Sequence, residues 1–245
     1  MIFSRIFRSV RHPELQDNPL SIRSVSRTHV GKVRTINEDR VLDRPDRGLW
    51  AVADGMGGHY AGDVAAQTAI DRLDKVEVPR AETILAALQA ANAEIFAKFG
   101  SENRRSGTTI VAAHISCGKV DLFWAGDSRA YRIRDGALQL LTRDHSVVQQ
   151  LVDAGALSPG AAARHPQSNV ITRALGVENQ VTVDHVTLPV LPGDGILLCS
   201  DGVSRSLGDQ PPAVASMASL AQHILDEALA LDGSDNASLV FIAIE

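Results

Sequence analysis

The stretch VADGMGGHYAGD, residues 52–63, carries an apolar run into Asp54 and then sets three glycines within four positions, a histidine and a second acid. It can be read as a phosphate-cradling loop, a metal site or a tight turn. A phosphate loop of the G-x-x-x-x-G-K-[ST] kind needs a lysine after its last glycine, and none follows. A helix starting near Asp63 would also bring an acid toward any bound anion, where such sites rely on bare backbone N–H groups. Gly55 can present its carbonyl to a cation, and Gly57 and Gly58 allow a turn at positive φ. The stretch therefore fits metal-site architecture at the end of a strand.

The neighbouring sequence tells what kind of sheet that strand joins. TTIVAAHIS, KVDLFWAG, RAYRIRDGALQLLT, GDGILLCSDG and ASLVFIAIE are short, β-branched or apolar, and punctuated by Gly or Asp-Gly. Asp135-Gly136 marks a hairpin with a tight turn. Three amphipathic helices interrupt them. One carries Ile84, Leu88, Ala91, Ile95 and Phe99 on a single stripe ahead of Gly100; the others run through Ala65, Ala69, Leu73 and Val76, and through Met217, Leu220, Ile224 and Ala228. Hairpin-linked strands cluster in groups with helices between the groups, which predicts an α+β fold with antiparallel sheets. Residues 21–245 are expected to form one domain. The segment from about 145 to 170 fits neither sheet and predicts a short helix over Val147 to Val152 followed by loop, a flap over a site.

The 245 residues suffice for a substantial core without staples. Two cysteines, Cys117 and Cys199, make no C-x-x-C spacing or disulfide framework and suit a reducing, cytoplasmic setting. A net charge of −5 with mixed signs lacks the footprint of a nucleic-acid binder. Residues 1–20 read as a flexible arm; MIFSRIFRSVRH also has the arginines and apolar spacing of a membrane-surface helix. No stretch reaches transmembrane length.

Three strand-like runs end alike, LWAVADG at Asp54, LFWAGDS at Asp127 and ILLCSDG at Asp201, while Asp235 stands just before a strand. One such aspartate is ordinarily a turn former. Four of them, if packed sheets bring them to one rim, repel one another unless cations neutralise them. Carboxylates without Cys or clustered His select hard cations, Mg²⁺ or Mn²⁺. Upstream, GKVRTINEDR adds Glu38, Asp39 and Arg34, whose guanidinium suits phosphate or carboxylate; taken alone it is an ordinary charged loop.

With these pieces in place the sequence resembles the metal-dependent PP2C-type (PPM) serine/threonine protein phosphatases in their bacterial form. GKVRTINED, VADGMGGHYAGDVA, GTT at Gly107 to Thr109, GDSRAY, TRDHS, NVITRALG, CSDG and DNAS occur in the family's order. The resemblance implies a four-layer αββα sandwich, two packed antiparallel sheets flanked by helices. It also implies Mn²⁺ or Mg²⁺ as cofactor, two tight ions plus a weaker third. Asp54 would bridge two ions, with the Gly55 carbonyl on one of them and Asp201 and Asp235 on the other. Glu38 would meet metal directly or through water, and Asp39 would orient water in the metal shell. Arg34 would clamp the substrate phosphate, and Asp127, with Ser168 of the flap, would hold the third ion. Where the animal enzymes place a histidine after Asp-Gly, this chain has Met56; His59 is nearby without being equivalent, and the leaving-group acid stays unassigned.

GLWAVADGMGGHYAGDVA and TRDHSVVQQLVDAGALS further look like the phosphatases associated with type VI secretion. There the resemblance implies a forkhead-associated-domain phosphoprotein as substrate and a Ser/Thr kinase as the opposing activity. Two rivals remain from other classes. Serine hydrolysis through Ser128 lacks a G-x-S-x-G elbow. A non-catalytic phosphoprotein-binding module on the same fold would be expected to lose metal ligands, and Asp54, Asp201 and Asp235 are all present.

Overall fold

Between Leu49 and Met56 the side chains of Trp50 and Val52 join one buried cluster while Leu49, Ala51 and Ala53 join another. Period-two alternation with both faces apolar is the mark of a strand covered on both sides. The same division recurs at Val111 and Ala113 against Ile110 and Ala112, and at Ile196 and Leu198 against Leu197 and Cys199. The result is three apolar layers: one between two sheets, and one between each sheet and its helices.

The computed structural model describes residues 21–57, 61–100, 106–162, 164–208 and 216–245. Its strands are β1 (Ile22–His29), β2 (Asp39–Arg44), β3 (Leu49–Met56), β4 (Gly107–Thr108), β5 (Ile110–Ser116), β6 (Lys119–Ala125), β7 (Arg129–Arg134), β8 (Ala137–Leu140), β9 (Asp184–Pro189), β10 (Gly195–Cys199) and β11 (Ala237–Ile244). The helices are α1 (Ala61–Asp74), α2 (Ala81–Phe99), α3 (Val147–Asp153), α4 (Pro159–Ala162), α5 (Asp201–Ser204) and α6 (Met217–Leu231). One sheet runs β1-β11-β10-β7-β8 and the other β2-β3-β5-β6-β9, with β4 paired to β3, and every pairing is antiparallel. Helices α1 and α2 cover the second sheet through Ala65, Ala69, Leu73, Ile84, Leu88 and Ile95. Helix α6 covers the first through Leu220, Ile224 and Ala228. The αββα sandwich expected from the sequence is the architecture observed.

Three strands went unread in the sequence: β1, β2 and β9. All three are sheet edges. An edge strand keeps one side toward solvent, so its residues mix charge with apolar groups, as in IRSVSRTH and DRVLDR. The Asp135-Gly136 turn adopts positive φ at both residues, 52° and 74°, as its hairpin type requires. In the flap, Ser146 caps α3 by accepting from the Gln149 N–H at 3.2 Å. The loop expected beyond it contains a further short helix, α4, opened by Pro159 at its first position. The arm over residues 1–20, Gly58 and His59 lie outside the described residues. Among the described residues no helix is long and apolar enough to cross a membrane.

Candidate metal centre

Strand register makes the site. On β3 the face that carries Trp50 and Val52 into the layer between the sheets continues to Asp54. On β2 the face of Val41 continues back to Asp39, and Asp39 is the direct cross-strand partner of Asp54. On β10 the face of Ile196 and Leu198 leads to Ser200 at the strand's end. The inter-sheet layer is thus apolar in its depth and acidic at one rim. Two carboxylates directly opposite each other destabilise a strand pair, so this rim is not there for the fold's sake.

Around that rim opens a cavity of about 1210 Å³ whose lining includes Arg34, Glu38, Asp54, Gly55, Asp127, Asp201 and Asp235. All four aspartates singled out from the sequence therefore reach one place. Asp39 lies behind the wall, 2 % exposed, its Oδ2 accepting from the Ser200 hydroxyl at 2.8 Å. Asp54 is not the last residue of its strand, as the sequence suggested; β3 runs on to Met56 because Gly55 and Met56 pair with β4. Close approach explains two glycines. A Cβ on Gly55 would collide with the Gly62 carbonyl, and one on Gly62 with the Glu38 carboxylate, so only glycines let β3 and the start of α1 close around Glu38.

Electrostatics follow from this crowding. Burial, reinforced by the neighbouring Asp201 and Asp235, pushes the Asp39 carboxyl up to about 7 against the hydrogen bonds from Ser238 and Ser200. Burial and four surrounding aspartates hold Asp54 well above the ordinary carboxylate range. Asp127 is pushed up to about 7 by burial and by Asp201 and Asp144. Asp201 is raised by burial, with Arg205 opposing, and Glu38 by burial, with Arg34 opposing. Each of these groups resists ionisation where it stands, and a divalent cation among them would reverse that.

The residues fit hard cations. All donors are oxygens, and the buried Oδ1 atoms of Asp39 and Asp201 have no hydrogen-bond partner among the described residues. Among the described residues no three His, Cys, Asp or Glu side chains already converge as ligands of one ion. Two arginines account for part of that: Arg205 pairs with Asp201, and Arg34 pairs with Asp235 at 3.0 Å. Glu38, Asp54, Gly55, Asp127, Asp201 and Asp235 could hold metal from the cavity wall, with Asp39 behind them.

Several contributors were missed from sequence. Arg129 and Asp144 form a two-pronged pair in the same wall, Nε to Oδ1 at 2.9 Å and Nη2 to Oδ2 at 2.7 Å. Both stand inside motifs already quoted, GDSRAY and TRDHS, but their pairing is tertiary. Asn236 ties the loop bearing Arg34 to the site: its Oδ1 accepts from the Glu38 N–H, and its Nδ2 donates to the carbonyls of Val30 and Ile36. Asp63 carries a buried Oδ1, without a partner among the described residues, and its carboxylate pairs with Arg40. From the segment expected as a flap, Val148, Gln149, Val152 and Asn169 line the cavity together with Ser168, which the sequence had already singled out. Ser128 is 1 % exposed and shares a hydroxyl–hydroxyl hydrogen bond with Thr109 at 2.7 Å, with no histidine among the described residues bonded to it, unlike a nucleophile of the triad type.

Known proteins with this fold and sequence are consistent with that chemistry. The family model described as Protein phosphatase 2C matches residues 28–236. Serine/threonine phosphatase stp of Listeria welshimeri is 34 % identical over 235 residues, covering 88 % of this chain and 93 % of that one. Serine/threonine protein phosphatase PstP of Mycobacterium tuberculosis is 38 % identical over 234 residues, covering 90 % of this chain and 45 % of that longer one. Among solved structures, PppA, a key regulatory component of T6SS in Pseudomonas aeruginosa, superposes with a TM-score of 0.84 at 34 % identity, covering 92 % of this chain and 99 % of that one. The catalytic domain of PstP in complex with two manganese ions gives a TM-score of 0.82 at 34 % identity over 92 % of this chain and 99 % of that one.

Proposed function

The chain belongs to the Protein phosphatase 2C family, the metal-dependent serine/threonine protein phosphatases, and from that premise we propose how its residues hydrolyse phosphoserine and phosphothreonine on proteins. The observation that carries the assignment is the one cavity in which Glu38, Asp54, Asp127, Asp201 and Asp235 meet, with the carboxyls of Glu38, Asp54, Asp127 and Asp201 raised by burial and by neighbouring carboxylates. Asp54, the Gly55 carbonyl, Glu38, Asp201 and Asp235 would hold the two catalytic ions, and Asp39, anchored by Ser200, would orient water beside them. Divalent ions bound there would supply Lewis acidity and a water activated at neutral pH.

The chain's own residues do the rest. Arg34 stands at the cavity rim with its side chain 52 % exposed, held by Asp235 and by the loop that Asn236 ties down. Its guanidinium binds and orients the phosphate and balances its charge, the positioning and electrostatic terms that dominate phosphoryl transfer. The flap excludes bulk water from one side, and Asp127 with Ser168 would hold a third, weaker ion. An intact acid set also speaks against a non-catalytic binding module.

PppA's T6SS role, together with the stretches that look like type VI secretion phosphatases, supports a place in that system. There the chain would oppose a Ser/Thr kinase on a forkhead-associated-domain protein. The unpaired thiols, Cys117 exposed and Cys199 buried, support a reducing, cytoplasmic setting. The test is Asp54→Asn, which keeps shape and removes one charge. Hydrolysis of a phosphothreonine peptide should fall at least 10³-fold, on the order of an essential catalytic group's loss, with the fold retained; wild-type turnover would overturn the assignment.

A further inference from the structure

Beside the acidic cavity, and separated from it by Met56 and Ile171, which line both, lies a second cavity of about 290 Å³. It falls just below the ~300–1,000 Å³ typical of drug-sized ligand sites, a volume suited to one side chain. Ala174, Val177 and Val181 line it with Met56 and Ile171, beside as many polar or charged residues. Val177 at 37 % and Val170 at 39 % are among the few large apolar side chains the fold leaves exposed. Val177 lines the cavity and Val170 directly precedes its lining residue Ile171, and exposed apolar groups gathered next to a polar site mark an interaction surface.

The cavity is built into the fold. Asn92, 1 % exposed on α2, donates to the carbonyls of Glu178 and Asn179 and accepts from the Gly176 N–H at 2.7 Å. Gln89, one turn earlier, donates to the Val181 carbonyl at 2.8 Å. Gly176 takes φ of +84°, and a Cβ there would collide with Ile95. The wall formed by residues 176–181 is therefore fixed from behind by a helix, and a ligand entering pays little ordering entropy. Its one cation, Arg173, already donates to Asp184 at 2.5 Å and to the Thr182 carbonyl, and Glu178 adds a negative charge to the lining. Neither favours an acidic guest, whereas Met56 is an adaptable apolar wall.

We propose that this cavity is a specificity subsite: it takes an apolar side chain of the phosphoprotein lying next to the phosphorylated residue. The proposal rests on the phosphatase assignment above. Met56 is then the partition between the reaction and recognition, which gives a role to the position where the animal enzymes carry histidine.

The experiment uses the full chain with Mn²⁺ and phosphothreonine peptides that differ only by Ala, Leu, Phe, Lys or Asp, scanned through the three positions on either side. At one or two positions Leu or Phe should raise kcat/KM over Ala on the order of tenfold, the scale of a filled apolar pocket. Val177→Asp should erase that preference and Val177→Ala reduce it. Both variants should keep wild-type kinetics on the all-Ala peptide and on p-nitrophenyl phosphate, and wild-type melting. A flat profile, a preference for Lys or Asp, or an apolar preference that survives Val177→Asp would overturn the subsite while leaving the phosphatase assignment intact. No turnover of any substrate, p-nitrophenyl phosphate included, would overturn the assignment and the subsite with it.

Discussion

Replacing Asp127 by Asn should stabilise the metal-free protein, and by an amount that grows with pH. The Asp127 carboxyl lies in the wall of the acidic cavity beside Asp201 and Asp144, and burial with those neighbours lifts it from 3.8 to about 7. A group whose folded-state pKa lies above its unfolded value carries no penalty below the unfolded pKa. The penalty grows as pH rises between the two values and is complete above the folded one. Three units at ~1.36 kcal/mol each give about 4 kcal/mol at pH 8, an upper bound because Asp127 is only half-buried and water screens part of the repulsion. For a domain of this size that is up to about 8–16 °C in Tm. The assay is urea and thermal unfolding of wild type and Asp127→Asn in chelator from pH 4 to 8, followed by the fluorescence of Trp50 and Trp124. The two proteins should differ least near pH 4 and diverge toward pH 8. Saturating Mn²⁺ should then lift the wild type, since an ion bound only by the folded state adds stability by mass action. Parallel curves across the whole range would refute the claim that these carboxylates repel one another in the metal-free fold.

Arg34→Ala should lower kcat/KM on a phosphothreonine peptide by roughly ten- to a hundredfold, the scale of a lost charged hydrogen bond of ~1.5–3 kcal/mol; unchanged kinetics would remove it from the phosphate. Asp194, 3 % exposed, is pushed up by burial but pulled lower overall by the Arg134 guanidinium, which reaches both its oxygens at 2.6 Å, and by the Leu191 N–H. Its stabilising contribution is present above the unfolded carboxylate pKa and lost as pH falls through the lower folded one, so Asp194→Asn should flatten the acid limb of the stability curve and lower Tm at neutral pH; an unchanged acid limb would contradict this. A chain starting at Leu20 should keep its peptide phosphatase activity, because every proposed ligand lies beyond that residue; loss of turnover with intact melting would show that the arm completes the site.

How much of this could be read from the sequence depended on which signal each residue carries. Strands β3, β5, β6, β10 and β11 were legible because they are buried on both faces and read as apolar runs. Strands β1, β2 and β9 were not, since as edges they carry IRSVSRTH, DRVLDR and DHVTLP, sequences a charged loop could also have. Asp39 was placed in such a loop on composition, and only register against Asp54 shows it to be buried. The carboxylates themselves were legible one at a time as strand-end acids, and their order along the chain matched a family. Arg34 was legible as a phosphate group's partner, but its pairing with Asp235, like that of Arg129 with Asp144, was not, because packing brings the partners together. The second cavity was the least legible: Asn92 looks like a polar residue on a helix until the three backbone groups it satisfies are seen across the fold.

The central claim is that one rim of carboxylates holds the ions on which phosphate hydrolysis depends. It is tested most directly by titrating chelator-stripped protein with Mn²⁺ in a calorimeter while turnover of a phosphothreonine peptide is followed in parallel, for wild type and for Asp201→Asn. Wild type should show no turnover before Mn²⁺ is added, and activity should rise as two tight sites fill. Asp201→Asn should lose at least one tight site and nearly all turnover while melting as a folded protein. Full hydrolysis in excess chelator, or wild-type Mn²⁺ binding and turnover in Asp201→Asn, would contradict the account.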